Sequence, residues 1–137
     1  MSKIIRFGVS LEEALLDKFD KLIRSRKYTN RSEAIRDLIR QDLLRKDFEE
    51  DREVAGAITF IYDHHQRDLL NKIIDVQHDH QEIIQSSQHI HLDHHNCLEI
   101  VAVKGNSSIV SKLSDTLKAL KGVKNGSLSV SGTGSIR

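Results

Sequence analysis

Apolar positions in the first third of the chain change from a strand period to a helical period. Apolar and polar residues alternate over 4–10, as they do in a half-buried strand. Ser10 stands where a helix cap is expected, with Glu13 three residues on, and the apolar residues that follow recur at helical spacing. A second helix with its own apolar stripe is predicted to begin at Asn30. Residues 4–46 are therefore predicted to form a strand followed by two helices.

A strand-helix-helix unit of this size is too small to form a core by itself, and its single strand leaves unpaired edges. A dimer removes both problems, because two copies of the strand can pair antiparallel beneath four helices. The side chains expected to face those helices are Ile5, Phe7 and Val9. The side chains expected to face outward on the two-stranded ribbon are Arg6, Gly8 and Ser10. Such a ribbon fits the major groove of DNA, so residues 1–48 are predicted to be a DNA-binding ribbon-helix-helix domain.

The rest of the chain alternates between strand and helix periods in a regular order. Strands are predicted at 54–63, 88–92, 97–104 and 123–131, and helices at 66–84 and 107–121. The order βαββαβ is the ferredoxin-like arrangement, which ACT regulatory domains also use. The fold class is therefore α+β, with an ACT-like domain at 53–132 after a charge-rich linker at 46–53. Residues 131–137 are expected to be a loose tail.

The net charge changes sign near residue 46, close to the predicted boundary between the two domains. Residues 1–46 hold 12 Lys and Arg against 7 Asp and Glu, a net charge of +5, whereas 47–137 carries −4. A basic half suits a polyanion such as DNA, and the acidic half is expected to do something else. The sequence has no apolar run long enough for a membrane span, no signal-peptide core and no partner cysteine for Cys97. We therefore expect a cytoplasmic protein without disulfides; glycine-rich phosphate loops and catalytic serine motifs are absent from its sequence.

Histidine is concentrated in one segment, since all eight lie between His64 and His95, and the only cysteine is Cys97. His89 and His91 are two residues apart on a predicted strand, so their rings share one face. The residues expected to face the core of the domain instead are Ile90, Leu92, Leu98, Ile100 and Ala102. On this parity His89, His91 and Cys97 converge on the outer face of one hairpin, away from both helices.

Two imidazoles and a thiolate suit a transition-metal ion, and Zn(II), Cu(II) and Ni(II) are all compatible with these donors. A fourth ligand is expected to close the site. His78 and His80 lie on a helix that packs on the core face, so the fourth ligand should come from another chain. The histidines interpreted as solvated loop residues are His64, His65, His94 and His95. The sequence therefore predicts a metal site shared between subunits, in which the ion cross-links them.

Three segments carry a resemblance to a known family. They are Tyr28–Asp37, which reads YTNRSEAIRD, Val76–His78, which reads VQH, and His89–Ile100, which reads HIHLDHHNCLEI. The His-X-His-X5-Cys spacing, with a histidine eleven residues upstream, is specific to one family, whereas the first segment recurs in many ribbon-helix-helix repressors. Over nearly its whole length the chain resembles the NikR family of nickel-responsive transcriptional regulators.

The resemblance implies a homotetramer, a dimer of dimers, in which two ribbon-helix-helix dimers flank four ACT-like domains. It also implies one square-planar Ni(II) per chain, shared between subunits. The implied ligands are His89, His91 and Cys97 of one chain and His78 of a neighbour. The residues implied to surround these ligands are Tyr62, Gln77 and Glu99.

DNA contacts are expected from the strand and from the start of the second helix. Arg6 can make a bidentate contact to guanine, and Ser10 can hydrogen-bond a base or a phosphate. The family often has a hydroxyl residue where this chain has Gly8, so base readout at that position differs. The residues that begin the second helix, with backbone N–H groups suited to a phosphate, are Asn30, Arg31 and Ser32.

The resemblance implies a second cation site, and a separate hypothesis concerns the link between metal and DNA. Glu33 and Asp37 match an acidic pair that holds a second, hard cation, with surface ion pairing as the alternative. Ni(II) is expected to order the segment 64–84, to place Arg67 near the DNA backbone and thereby to promote operator binding, with repression of nickel-uptake genes. The alternatives are a Zn(II)- or Cu(II)-responsive repressor, a metalloenzyme that uses Glu99, an amino-acid-binding repressor and an antitoxin. The expectation is that the chain is not an enzyme, because four protein ligands would close the metal site.

Overall fold

The computed structural model of the chain describes residues 3–134 and divides into two compact units, one ending at Asp42 and the other beginning at Leu43. This division falls within a helix. Among the described residues, no helix is long and apolar enough to cross a membrane. The tail expected at 131–137 starts in the last residue of a strand, and 135–137 lie outside the described part.

Two helices form in the first part of the chain, α1 (Glu13–Ser25) and α2 (Arg31–Glu49). Asn30 caps α2 as predicted, because its Oδ1 accepts the backbone N–H three residues on at 2.9 Å. The prediction that Ser10 caps α1 is wrong. The residue before α1 is Glu12, in extended conformation, and no side chain caps the helix. Ser10 belongs instead to the segment that precedes the helix.

Residues 3–12 form no regular strand in the single chain. Their apolar side chains are largely exposed, Ile5 at 78% and Phe7 at 72%. A strand is defined by hydrogen bonds to a neighbouring strand, and nothing in the described chain pairs with this segment. The strand at 4–10 therefore stays a prediction about a dimer.

The second unit contains a four-stranded antiparallel sheet and two helices. Its elements are β1 (Glu53–Tyr62), α3 (Arg67–Asp79), β2 (Ile84–His91), β3 (Cys97–Asn106), α4 (Ser107–Ala119) and β4 (Lys124–Ser131). The strands lie in the order β2-β3-β1-β4, and each neighbouring pair is antiparallel. The predicted βαββαβ order and the α+β class are confirmed.

The largest boundary difference lies between α3 and β2, because the helix predicted at 66–84 ends at Asp79 and the strand predicted at 88–92 begins at Ile84. Ile83 and Ile84 continue the helical spacing in the sequence, which is why the helix was expected to reach them. In the structure Ile83 is buried in the core, and its carbonyl accepts the N–H of Lys104 at 2.8 Å. β2 is polar over residues 85–88, so its alternation is not visible in the sequence.

The helices α3 and α4 cover one face of the sheet and share one core with it. The core side chains on β1 and β3 are Val54, Ile58, Phe60, Tyr62, Cys97, Val101 and Val103. The core side chains on the helices are Leu69, Ile73, Val110, Leu113 and Leu117. The metal-ligand candidate Cys97 is thus part of the core itself.

The predicted core face of the β2–β3 hairpin is therefore wrong. Val101 pairs with Ile58 of β1, and directly paired antiparallel residues point to the same face. The strand residues that were expected in the core lie on the opposite face, namely Ile90, Leu98, Ile100 and Ala102. Leu92, beyond the end of β2, is exposed. The prediction failed because β3 carries apolar side chains on both of its faces.

Candidate metal centre

The strands β2 and β3 place the expected ligands in adjacent positions. His91 pairs with Cys97 across the two strands, and His89 pairs with Glu99. Since paired residues share a face and side chains alternate along a strand, His89, His91 and Cys97 lie on one face. That face is the one that α3 and α4 cover, because Cys97 belongs to the core. The expected position on the outer face is a wrong prediction.

Because these side chains lie on the helix-covered face, sheet parity no longer excludes a fourth ligand from α3 of the same chain. His78 lies in the last turn of α3 and is on the same side of the sheet as His89 of its own chain. Both residues line one surface groove with a volume of about 350 Å³. Sheet parity therefore does not require a ligand from another chain, and the identity of the fourth ligand stays a prediction.

Three ligand atoms converge at one end of the helix-covered face, on His64, His91 and Cys97. The two ring nitrogens and the sulfur lie within 4.8 Å of one another. Two metal–ligand bonds of roughly 2.0–2.3 Å span at most about 4.6 Å, so small side-chain movements would bring the three atoms to coordination distance. Cys97 is 2% exposed, and Nδ1 of His64 is buried without a hydrogen-bond partner in the described chain. These donors, with one nitrogen left unpaired, fit a borderline transition-metal ion.

Burial controls the protonation of this group. It raises the pKa of the Cys97 thiol, and the negative charge of Glu99 raises that pKa further. Burial also lowers the pKa of His64, and repulsion from His65 and His91 lowers it further. The imidazole is therefore kept as a neutral donor, whereas the thiol must lose its proton to become a ligand. Metal binding here is expected to release protons.

His89 is held by residues that were expected around the metal ligands. Its Nδ1 lies 2.9 Å from the hydroxyl of Tyr62. Its Nε2 lies 2.6 Å from Oε1 of Glu99, although the angle is not that of a hydrogen bond. Oε2 of Glu99 accepts a hydrogen bond of 2.6 Å from Nε2 of Gln77. His89 would have to leave one of these contacts to bind an ion.

Glu99 is a fully buried carboxyl group on an interior strand of the sheet. Burial raises its pKa, while the charge of His89 and the hydrogen bond from Gln77 act in the opposite direction. A charge in this position is costly unless it is paired, so the contact with His89 stabilises both side chains. Because Glu99 is buried, its contact with His89 restricts the orientation of this candidate ligand.

Sequence reasoning missed His64, which was interpreted as a solvated loop residue. The signal lay in the topology, because β1 is a neighbour of β3 and its last residue, Tyr62, pairs with Cys97. A residue two positions after Tyr62 therefore lies beside the start of β3. His80 does not join the group, since its Nδ1 contacts the carbonyl oxygen of Val76 on its own helix at 2.9 Å.

The predicted DNA contacts of the first unit are all exposed. They are Arg6, Gly8, Ser10, Asn30, Arg31 and Ser32. The guanidinium of Arg31 donates two hydrogen bonds to Asp20, from Nε at 3.0 Å and from Nη2 at 2.9 Å. This bidentate contact lowers the pKa of Asp20. The side chain of Arg31 is therefore engaged within its own unit.

The two acidic residues expected to hold a second cation have partners within the first unit. Oδ2 of Asp37 accepts hydrogen bonds from the hydroxyl of Tyr28 and, at 2.7 Å, from Nε2 of Gln41. Oε2 of Glu33 accepts the backbone N–H of Thr29 at 3.4 Å. Their role as a cation site stays a prediction.

Known proteins match this chain along nearly its whole length. The family model described as the NikR C terminal nickel binding domain matches residues 55–131, and the model for the ribbon-helix-helix protein, copG family, matches residues 5–46. A protein of Syntrophus aciditrophicus named as a nickel-responsive regulator is 71% identical over 99% of both chains. Proteins with the same name from Chlorobium limicola and Thermococcus kodakarensis are 56% and 52% identical, over 98% and 96% of this chain and 100% and 96% of theirs.

The fold also matches a solved structure. An uncharacterized protein of Thermotoga maritima superimposes with a TM-score of 0.51 over 60% of this chain and 99% of its own, at 12% identity. At that identity the likeness concerns the fold alone. The family models and the sequence identities decide the assignment: this chain belongs to the NikR family of nickel-responsive regulators.

Proposed function

We propose that Ni(II) binding by this chain promotes binding of its ribbon-helix-helix domain to operator DNA. Its family makes it a metal-responsive regulator of transcription and not an enzyme. The observation that carries the proposal is the pairing of His91 with Cys97 on one sheet face, with His64 and His89 on the same side. Imidazole and thiolate donors of this kind suit Ni(II). Repression of nickel-uptake genes, in the cytoplasm, is the expected outcome.

The proposed ligands are His89, His91 and Cys97 of one chain and His78 of the partner subunit, with one ion per chain. The exposure of His78 supports this set, because an exposed side chain is accessible to another copy. His64 is the competing imidazole within the chain, since it already converges with His91 and Cys97. When bound, the ion supplies a cross-link between subunits.

Apolar surface supports the proposed homotetramer, a dimer of dimers. The exposed side chains of Ile5 and Phe7 would be buried when two copies pair through residues 4–10. The sheet face that the helices leave uncovered is apolar as well, at Leu98 and Ile100, whereas an uncovered antiparallel face is commonly polar. We assign dimerisation and DNA binding to the domain at 1–48, and tetramerisation and metal binding to the domain at 53–132.

The proposed DNA interface is the outward face of the paired strands in the major groove. Its base-facing residues are Arg6, Gly8 and Ser10. Because Asp20 engages the side chain of Arg31, the segment at 30–32 would meet a phosphate with its backbone N–H groups. We also retain Glu33 and Asp37 as the proposed site of a second, hard cation.

The proposed link between metal and DNA is a shift in conformation, because no predicted DNA contact is a predicted ligand. Leu69 and Ile73 fix the middle of α3 to the core, whereas His78 in its last turn is exposed. Ligation of His78 would order this last turn. Amide hydrogen exchange over 64–84 with and without Ni(II) tests the link, and equal protection in both states would contradict it.

Fluorescence anisotropy with a labelled operator duplex tests the whole proposal, with Ni(II), Zn(II) or Cu(II) added in turn. Tight binding is expected with Ni(II) and not without metal. Cys97→Ala is expected to abolish it, whereas His80→Ala is the matched control, because that ring contacts its own helix. DNA binding that needs no metal, or that survives Cys97→Ala, would overturn the proposal. Equal or tighter DNA binding with Zn(II) or Cu(II) would mean that the protein responds to that ion.

A further inference from the structure

The last strand, β4, departs from regular pairing close to its start. On either side of Phe60, residues of β1 and β4 pair one to one, but two residues of β4, Asn125 and Gly126, stand opposite Phe60. This count is that of a β-bulge, which leaves the extra residue unpaired and interrupts the ladder of hydrogen bonds. β4 is also an edge strand, with β1 as its neighbour in the sheet. Its backbone is therefore held less firmly at this bulge than along the rest of the strand.

Asn125 is open to solvent, and its side chain is unrestrained. Its φ is +51°, in the left-handed region that asparagine tolerates better than most residues. The residue is exposed, and its side chain makes no hydrogen bond within the part of the chain that the structure describes. Water and the neighbouring backbone can therefore approach the carbonyl carbon of its side chain, Cγ.

Gly126 is required at its position by a close contact with α4. A Cβ atom there would lie 2.3 Å from Cγ of Lys118, so no other residue fits without moving this lysine. Because glycine has no Cβ, its backbone nitrogen is unshielded and its backbone turns more freely than that of other residues. The packing of α4 beside β4 thus keeps an unshielded backbone nitrogen directly after Asn125.

Two other asparagines of the second unit, Asn96 and Asn106, are placed differently. The side-chain nitrogen of Asn96 donates to both carboxylate oxygens of Asp93, at 3.2 and 3.1 Å. Asn106 precedes the buried Ser107, whose backbone N–H donates to a backbone carbonyl oxygen at 3.1 Å. The first asparagine has a fixed side chain, and the second is followed by an engaged backbone nitrogen. Asn125 lacks the first restraint, and the bulge interrupts the ladder that would supply the second.

We propose that Asn125 is a site of spontaneous deamidation, which converts it slowly to aspartate and isoaspartate. The backbone nitrogen of Gly126 attacks Cγ of Asn125, and the new N–Cγ bond closes a cyclic succinimide. The bond from Cγ to the side-chain nitrogen breaks, and this nitrogen leaves as ammonia with the proton of the attacking amide. Water then opens the ring at one of its two carbonyl groups, which yields either product without oxidation or reduction.

The two products affect β4 differently. Aspartate keeps the length of the backbone and tolerates the positive φ, and its new negative charge lies beside Lys124. Isoaspartate carries the backbone through the former side chain, so it adds a carbon atom to the strand inside the bulge. This longer backbone is expected to weaken the pairing of β4 with β1, whereas the charge alone is not.

Ageing of the full-length, metal-free chain at pH 7 tests the site, with a sample unfolded in guanidinium chloride as the reference. Peptide mapping by liquid chromatography and mass spectrometry separates the aspartyl and isoaspartyl products of each asparagine. Folding is expected to protect Asn106 strongly, whereas Asn125 should convert in the folded chain nearly as fast as in the unfolded chain. Equal protection of the two asparagines by folding, or no product at Asn125, would overturn the proposal.

Two variants separate the reaction from its effect on the strand. Asn125→Gly tolerates the positive φ and has no side-chain amide, so it should lose the mass increase that ageing produces in the wild type. Asn125→Asp should unfold at the same urea concentration as the wild type, and the isolated isoaspartyl fraction at a lower one. A mass increase in Asn125→Gly equal to that of the wild type would place the reaction elsewhere. An unchanged midpoint in the isoaspartyl fraction would overturn the expected effect on β4. Neither measurement involves Ni(II) or DNA, so its outcome is independent of the proposed function.

Discussion

The two units of the chain differ in how much of their apolar surface a single copy can bury. In the first unit, Ile5 and Phe7 remain exposed, and the buried apolar residues of that unit are Ile23 and Ala34. In the second unit, both helices and alternate residues of the sheet enclose a continuous core. From this difference we expect the first unit to complete its structure only in the proposed dimer, whereas the second unit encloses a core on one face of its sheet within a single copy.

The largest expected effect follows from placing a charge where the first unit should pair. Phe7→Asp removes one buried ring from each of two copies, and each ring contributes about 1.5–3 kcal/mol, so the dimer loses about 3–6 kcal/mol. Operator affinity should fall by roughly 10²- to 10⁴-fold, since about 1.4 kcal/mol corresponds to tenfold. Anisotropy measures the affinity and analytical ultracentrifugation the assembly. Phe7→Leu, which keeps an apolar side chain, should retain most of both; unchanged assembly in Phe7→Asp would contradict the comparison.

A cavity in the core of the second unit should have nearly as large an effect, in this case on the free energy of unfolding. Phe60 is fully buried on β1, and Phe60→Ala is expected to lower the free energy of unfolding by about 3–5 kcal/mol. Urea denaturation followed by circular dichroism measures the loss. Phe60→Leu leaves a smaller cavity and serves as the control. A loss below about 1 kcal/mol in the alanine variant would mean that the core of this unit is not closed as described.

An exposed residue of the first unit should affect DNA binding and nothing else. Arg6→Ala is expected to reduce discrimination between operator and mismatched duplex by about 1–3 kcal/mol, because a bidentate contact to guanine is lost. Metal stoichiometry and thermal stability should stay as in the wild type. Lys3→Ala is the nearby control. An equal loss of affinity for operator and mismatch would assign Arg6 to the phosphate backbone instead.

The smallest effect concerns a turn of the second unit and depends on pH. Oδ1 of Asp51 accepts the backbone N–H of Ser108 at the start of α4, at 2.8 Å, and this bond lowers the pKa of Asp51. A lowered pKa means that the carboxylate stabilises the fold above its ordinary pKa, and that this stability disappears as pH falls through the folded-state value. Asp51→Asn should therefore be slightly less stable than the wild type at pH 7.

The amide in this variant keeps an acceptor and suits the positive φ of 56° at Asp51, so it changes mainly the charge. Urea denaturation at pH 7 and at pH 3 measures the difference between the two proteins. The difference should shrink at pH 3. A gap that is the same at both values would show that the charge of this carboxyl group does not stabilise α4.

Periodicity predicted the elements of the second unit and their order, because most of them carry a clear apolar stripe. The start of β2 was missed, since that strand is polar over residues 85–88. Periodicity did not identify the core face of a strand that carries apolar side chains on both of its faces. β3 is apolar at Leu98 and Ile100 on one side and at Val101 and Val103 on the other, while its interior side also carries Glu99. The choice of core face depends on pairing with β1, which the local pattern does not contain.

The candidate site was predicted in part for the same reason. The strand spacing placed His89 and His91 on the same face as Cys97, since that relation is local to one hairpin. His64 lies on a different strand end, and its approach to Cys97 follows only from the order of strands in the sheet. The expected strand at 4–10 depends on a second copy, so a single chain neither forms nor excludes it.

The burial of Cys97 beneath two imidazoles has a consequence for its chemistry towards reagents other than metals. A thiol with a raised pKa and 2% exposure holds little thiolate and presents little of it to solvent. Alkylating agents and oxidants therefore reach the sulfur only when the end of the sheet opens. The rate at which iodoacetamide modifies the chain therefore reports how often this end of the sheet opens. Because the chain has one cysteine, the measured rate belongs to this site alone.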